Sequence, residues 1–176
     1  WKSKGKYGPA IDQIIFWLRK AVKVAENDQQ AKALKVLIEY YKTGNLRKWD
    51  EYNVIWSTAT KGDIDYINGF IETYGDALGK RANYESIVQI NDFEASKRMA
   101  TVAKNAQWFE DNSPLMPEHK KKKVVGVSYK VVEVASESGD AAPSTPIGVN
   151  LPNNNWIREI HGSKSVSLGN IIEAYN

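Results

Sequence analysis

The chain holds 176 residues, 42% hydrophobic and 26% charged, enough for one ordinary domain or two small ones around a buried core. Cysteine is absent, which excludes a disulfide framework, a thiolate zinc site and a cysteine nucleophile. With only His119 and His161, a His-rich metal site or a His pair at helical spacing is excluded too. The net charge of +3 is local, because removing the run Lys120-Lys121-Lys122-Lys123 would leave the remainder at −1.

The chain opens Trp1-Lys2-Ser3-Lys4-Gly5, with neither an initiator Met nor the apolar core of a signal peptide. It closes inside a helical pattern at Ile171-Ile172-Glu173-Ala174-Tyr175-Asn176. A piece of a longer protein is therefore expected. No stretch approaches the ~18 consecutive apolar residues of a membrane span.

Residues 10–26 carry Ile11, Ile14, Ile15, Leu18, Val22 and Ala25 at the spacing of one helical face, with Pro9 near the first turn. Asp28 is the expected N-cap of a second helix through Leu34, Leu37, Ile38 and Tyr41, and Gly44 is its expected left-handed cap. Residues 45–59 fit either a short helix or the start of a strand. From Ile64 the period changes to two, predicting a long strand that ends at Gly75-Asp76. Tyr84 to Phe93 predicts a second strand, Glu94 to Phe109 a helix, and Val124 to Val134 a third strand. Ser136 to Pro146 reads as a loop and Ile147 to Leu151 as a short strand stopped by Pro152. Trp156 to Ile160 suits a helical turn, and Ser167 to Tyr175 the start of another helix. The fold class is α+β: N-terminal helices, then a small mixed sheet or barrel of four or five strands. The expected division is a helical segment, 1–60, and a β-rich binding region with flanking helices, 61–176, together forming one structural unit.

Two features carry chemistry. Glu72 interrupts the apolar strand Phe70-Ile71-Glu72-Thr73-Tyr74, and a carboxylate there needs a partner if it is buried. It equally suits an exposed edge, where a charge discourages aggregation. In Gly148-Val149-Asn150-Leu151-Pro152-Asn153, a strand glycine marks close backbone approach, and the proline leaves an edge to which a peptide could add as a strand. The same residues also suit an ordinary turn. The lysine run lacks the interleaved aromatics and arginines of a nucleic-acid surface and reads as a solvated loop. His161-Gly162-Ser163-Lys164-Ser165 lacks the upstream glycine of a phosphate loop.

The blocks Ile67-Asn68-Gly69-Phe70-Ile71-Glu72-Thr73-Tyr74-Gly75-Asp76 and Gly148 to Asn153, the latter followed by His161 to Asn170, resemble the dipeptidyl peptidase III family. Trp49-Asp50-Glu51-Tyr52-Asn53 is similar to its bacterial members, although Gly75 stands where others carry arginine. The resemblance implies a zinc-dependent, cytoplasmic aminopeptidase with two lobes around a cleft, of which this chain would be chiefly the lobe built on a five-stranded β-barrel. The zinc motif His-Glu-x-x-Gly-His has no counterpart here. The resemblance therefore implies no catalytic or metal-ligating residue in this chain, zinc only in the parent, and an inactive fragment. It assigns substrate binding to Glu72, Tyr74, Gly148, Val149, Asn150 and Asn153. The partners it implies are an oligopeptide held by its free α-ammonium and the zinc-bearing lobe of the same protein, with no nucleic acid and no membrane. The rival reading is a non-catalytic α+β module that binds a peptide or protein.

Overall fold

The computed structural model describes residues 1–124, 127–142 and 145–175. Val125 and Gly126 of the expected third strand, Pro143 and Ser144 of the expected loop, and the terminal Asn176 lie outside the described residues. The chain divides into two compact units, Trp1–Gly62 and a second that begins at Asp63.

The first unit is three helices, α1 (Gly8–Lys23), α2 (Asp28–Thr43) and α3 (Leu46–Thr58). Ile11, Ile15 and Leu18 form the buried stripe of α1, and Leu34, Leu37, Ile38 and Tyr41 that of α2. The N-cap of α2 is Asn27 rather than Asp28, since the Asn27 side chain accepts from the Gln30 amide at 2.9 Å. Asp28 instead places its charge in the first turn, where the helix dipole favours it. Gly44 closes α2 at φ +70, as its type and place require. The ambiguous segment after it is helical. Asn45 caps α3, and Tyr52 and Trp56 are buried one turn apart, with Trp49 stacked between Tyr40 and Tyr52 at centroid separations of 5.1 and 5.3 Å. A period of four, set by the aromatics, overrides the β propensity of Val54-Ile55.

The second unit is built on a five-stranded mixed sheet of order β1-β2-β3-β5-β4. Its strands are β1 (Ile64–Glu72), β2 (Asn83–Asn91), β3 (Val127–Gly139), β4 (Gly148–Leu151) and β5 (Ser163–Leu168). Among the described residues only β3 and β5 pair in parallel. Helices α4 (Phe93–Lys104) and α5 (Ala106–Asp111) follow β2, α6 (Asn155–Ile160) follows β4, and α7 (Gly169–Tyr175) follows β5. The expected single helix from Glu94 is two, because Asn105 ends α4. Helices α4 and α7 pack against β3.

Two stretches differ from the sequence expectation. Ser136 to Gly139, read as loop, continues β3 and pairs with β2 from Val88↔Ser136 to Glu85↔Gly139. Serine and glycine are poor strand formers, yet backbone pairing to an existing neighbour decides the outcome. Ser163 to Leu168, read as a loop running into a helix, is the strand that joins β3 to β4, and the helix begins only at Gly169. Its buried residues alternate as Lys164, Val166 and Leu168, the last two packing with Val132. A lysine in the apolar phase of that strand hides the period from the sequence.

Register places Asp65, Ile67, Gly69, Glu85, Ile87, Gln89, Lys164, Val166, Val149 and Leu151 on one inner face. Lys164 is 4% exposed and bonds Asp65 at 2.7 Å, while burial pulls its ammonium below the ordinary lysine range. Removing one partner of such a pair leaves an uncompensated buried charge. Asp65→Ala is expected to lower the unfolding free energy by about 3 kcal/mol, and adding Lys164→Met to it, which removes the orphaned charge as well, to recover most of that loss. Urea unfolding of the two variants measures the difference.

Candidate functional site

The inner face ends in a cavity of about 300 Å³ lined by Glu72, Tyr74, Glu85, Asp140, Gly148, Val149, Asn150 and Asn153, among others. All six side chains and backbones singled out in the sequence are in that lining.

A β-bulge delivers Glu72. Along β1 the pairs run Gly69↔Glu85 and Phe70↔Tyr84, then skip Ile71 to Glu72↔Asn83. Strict alternation would put Glu72 on the face of Phe70 and Asn68. The extra residue turns it onto the face of Gly69, where Asn83 and Glu85 also point. The Asn153 side chain donates to the Glu72 carboxylate. Burial and the nearby Asp140 charge nevertheless raise the Glu72 carboxyl above its ordinary range, and the Asn153 bond only partly offsets them.

Beyond Glu72 the loop is pinned by Asp76, whose carboxylate accepts the amides of Arg81 and Ala82. Those two bonds hold the Asp76 carboxyl below its ordinary range. Tyr74 stands on this loop, 91% exposed at the mouth of the cavity.

Strand β4 supplies the opposite wall. Among the described residues it pairs only with β5 and is one edge of the sheet. Gly148 permits this, since a Cβ there would lie 2.8 Å from the Val166 carbonyl oxygen. The Asn150 amide donates to Ser165 Oγ at 2.7 Å, which leaves its carbonyl oxygen as an acceptor.

Sequence reasoning missed two members. Glu85 follows Tyr84 in β2 and is 6% exposed. Burial first, then the charges of Glu72 and Asp140, push its carboxyl from 4.5 up to about 7. The clue was present, because Glu85 shares the phase of Ile87 just as Glu72 interrupts an apolar strand. Asp140 carried no such clue inside a Ser/Gly/Asp stretch. Its amide donates to the Tyr84 carbonyl at 2.9 Å, and its carboxylate accepts from Asn83 at 3.1 Å.

The lining thus brings three carboxyls together and includes no lysine, arginine or histidine. An arrangement of this kind holds a cation that also donates hydrogen bonds. A metal ion is a poor fit. Among the described residues no three His, Asp or Glu side chains are placed to hold one, so these residues do not suit a zinc ion. Nor is any helix among the described residues long and apolar enough to cross a membrane.

The profile of peptidase family M49 matches residues 2–176. The chain is 26% identical over 170 residues to dipeptidyl peptidase 3 of Homo sapiens, a match that covers 97% of this chain and 23% of that protein. Among solved structures it is similar to DPP III from Caldithrix abyssi, with a TM-score of 0.83, 26% identity and coverage of 98% of this chain and 33% of that one. The fold also matches the dipeptidyl-peptidase III structure from Corallococcus sp. strain EGB at a TM-score of 0.82 and 22% identity, over 96% of this chain and 31% of that one. The chain therefore spans about a quarter of the curated relative and a third of the solved structures.

The raised Glu85 carboxyl sets a stability trend. The folded state holds its proton where the unfolded chain has lost it, so stability falls as pH rises from about 4.5 towards 7. Glu85→Gln, which carries no charge to bury, is expected to raise Tm at pH 8 by about 4 °C and to leave it unchanged at pH 4. Calorimetric scans at the two pH values measure this.

Proposed function

Because the chain belongs to peptidase family M49, we propose that it is the substrate-binding part of a zinc-dependent peptidase that releases dipeptides from the N-terminus of oligopeptides. The observation that carries this reading is the Glu72 carboxylate, bonded to Asn153 in an acidic cavity beside the exposed edge strand β4. A peptide adds to that edge, exchanging backbone hydrogen bonds with Gly148, while Val149, whose own backbone groups face β5, lines the cavity beside it. Its leading α-ammonium has three donors and no acceptor, and it enters the cavity to meet Glu72, the Asn150 carbonyl oxygen and Asn153. Tyr74 lies alongside at the mouth.

Fixing the N-terminus sets how far along the chain the scissile bond falls, so the residues here bind and orient rather than react. Zinc, when bound by the rest of the parent protein, supplies Lewis-acid activation of the scissile carbonyl and of water. The isolated chain is accordingly expected to be inactive. A cytoplasmic setting belongs to the same reading.

In the full-length protein, Glu72→Ala is expected to raise KM for a free tetrapeptide about 10- to 100-fold, the worth of one charge-assisted hydrogen bond. N-acetylation of the peptide should cost the unsubstituted protein as much and the variant almost nothing more. Equal kinetics on free and acetylated peptides before substitution would contradict the reading. Steady-state hydrolysis assays measure all four combinations.

A further inference from the structure

The ammonium reading uses Glu72 and leaves Glu85 without a role. Glu85 is 94% buried, if its 6% exposure is put the other way, and it lines the cavity. On either side its cross-strand neighbours are glycines, Gly69 on β1 and Gly139 on β3. Gly139 cannot be larger, because it sits at φ +71 and a Cβ there would lie 2.1 Å from the Tyr84 carbonyl oxygen. No side chain therefore flanks Glu85 along the ladder. Among the described residues no hydrogen-bond or ion-pair partner of its carboxyl is found.

The charged groups facing it are acidic on every element around it. Strand β1 presents Glu72, and the turn after β3 presents Asp140. Strand β3 also carries Glu137, two residues before Gly139, whose carboxylate accepts from the Thr145 hydroxyl. The inward lysine, Lys164 on β5, is bonded to Asp65 opposite Gln89, with Lys130 of β3 beside it. That pair lies four residues along β1 from the Glu85 position, about 13 Å away. Strand β4 faces the cavity with no charged side chain. A carboxylate so placed has little solvent and no cation among the cavity-lining residues to stabilise it, which favours its protonated form.

We propose that Glu85 is a proton-linked specificity residue of the ammonium site: it is protonated while the cavity is empty and releases that proton to solvent when the cationic N-terminus of a peptide enters. The step breaks one carboxyl O–H bond, with water or buffer accepting the proton, and the peptide arrives already charged. It rests on the ammonium reading above. A neutral N-terminus cannot draw the proton off, so its binding releases none. Affinity for free peptides should rise with pH through the range in which the empty-site carboxyl titrates, about 7, and level off before the peptide's own amine loses its proton.

The test is isothermal titration of the full-length protein with Ala-Ala, a product too short to yield another dipeptide, in phosphate and in ACES at pH 6.5. The difference in heat between buffers counts protons. The protein should release about 0.7 proton per Ala-Ala bound, and Glu85→Gln close to none. Between pH 5.5 and 7.5 the affinity should rise about 20-fold for the unsubstituted protein and only a few-fold for Glu85→Gln. Equal proton release from both proteins overturns the proposal and leaves the ammonium reading standing. If N-acetyl-Ala-Ala binds as well as Ala-Ala, or if neither binds at millimolar concentration, the ammonium reading fails and the proposal with it. Should Glu85→Gln not fold, the unsubstituted protein alone decides: release that peaks between pH 6 and 7 and fades at lower pH supports the proposal, and none at any pH overturns it.

Discussion

The candidate site depends on the burial of negative charge at one end of the sheet. Glu72 and Glu85 stand on adjacent strands of one inner face, with Asp140 at the turn beside them. Carboxylates gathered in this way repel one another and lose hydration, which destabilises the empty fold unless protons or a cation offset them. The scaffold tolerates that cost through the Asn153 bond to Glu72 and the Asn83 bond to Asp140. Neither neutralises the site. A region that is least comfortable when empty is best stabilised by a cationic ligand.

Backbone devices rather than side chains assemble the constellation. The bulge at Ile71 turns Glu72 inward. Glycines at 69 and 139 are the cross-strand neighbours of Glu85, and Gly148 lets β4 close on Val166 of β5 while its other edge stays open. At the far end of the inner face, the Lys164–Asp65 pair balances its own charge. The sheet therefore separates a compensated buried ion pair from carboxyls with no cationic side chain beside them in the cavity lining.

These distinctions explain what the sequence could reveal. The α1 stripe, the Gly44 cap, the period-two run from Ile64 and the oddity of Glu72 are local patterns, and local patterns are legible. The α3 helix was open because its β-branched pair and its aromatics pointed different ways. Strand β5 and the end of β3 were hidden, since Lys164, Ser136 and Ser138 are polar and their pairing is non-local. The bulge that aims Glu72 depends on registration with β2, which no single strand encodes. Glu85 could have been found from its phase with Ile87, whereas Asp140 reaches the cavity only through the turn that folds it back on Tyr84. The family resemblance points to Glu72, Tyr74, Gly148, Val149, Asn150 and Asn153, and the cavity lining adds Glu85 and Asp140.

A crystal structure of the full-length protein with an uncleaved peptide bound tests the central claim most directly. The peptide nitrogen at its free end should lie about 3 Å from a Glu72 carboxylate oxygen, with the chain running along β4 as an added strand. A peptide whose N-terminus lies outside the acidic cavity, or whose side chains alone enter it, would contradict the account.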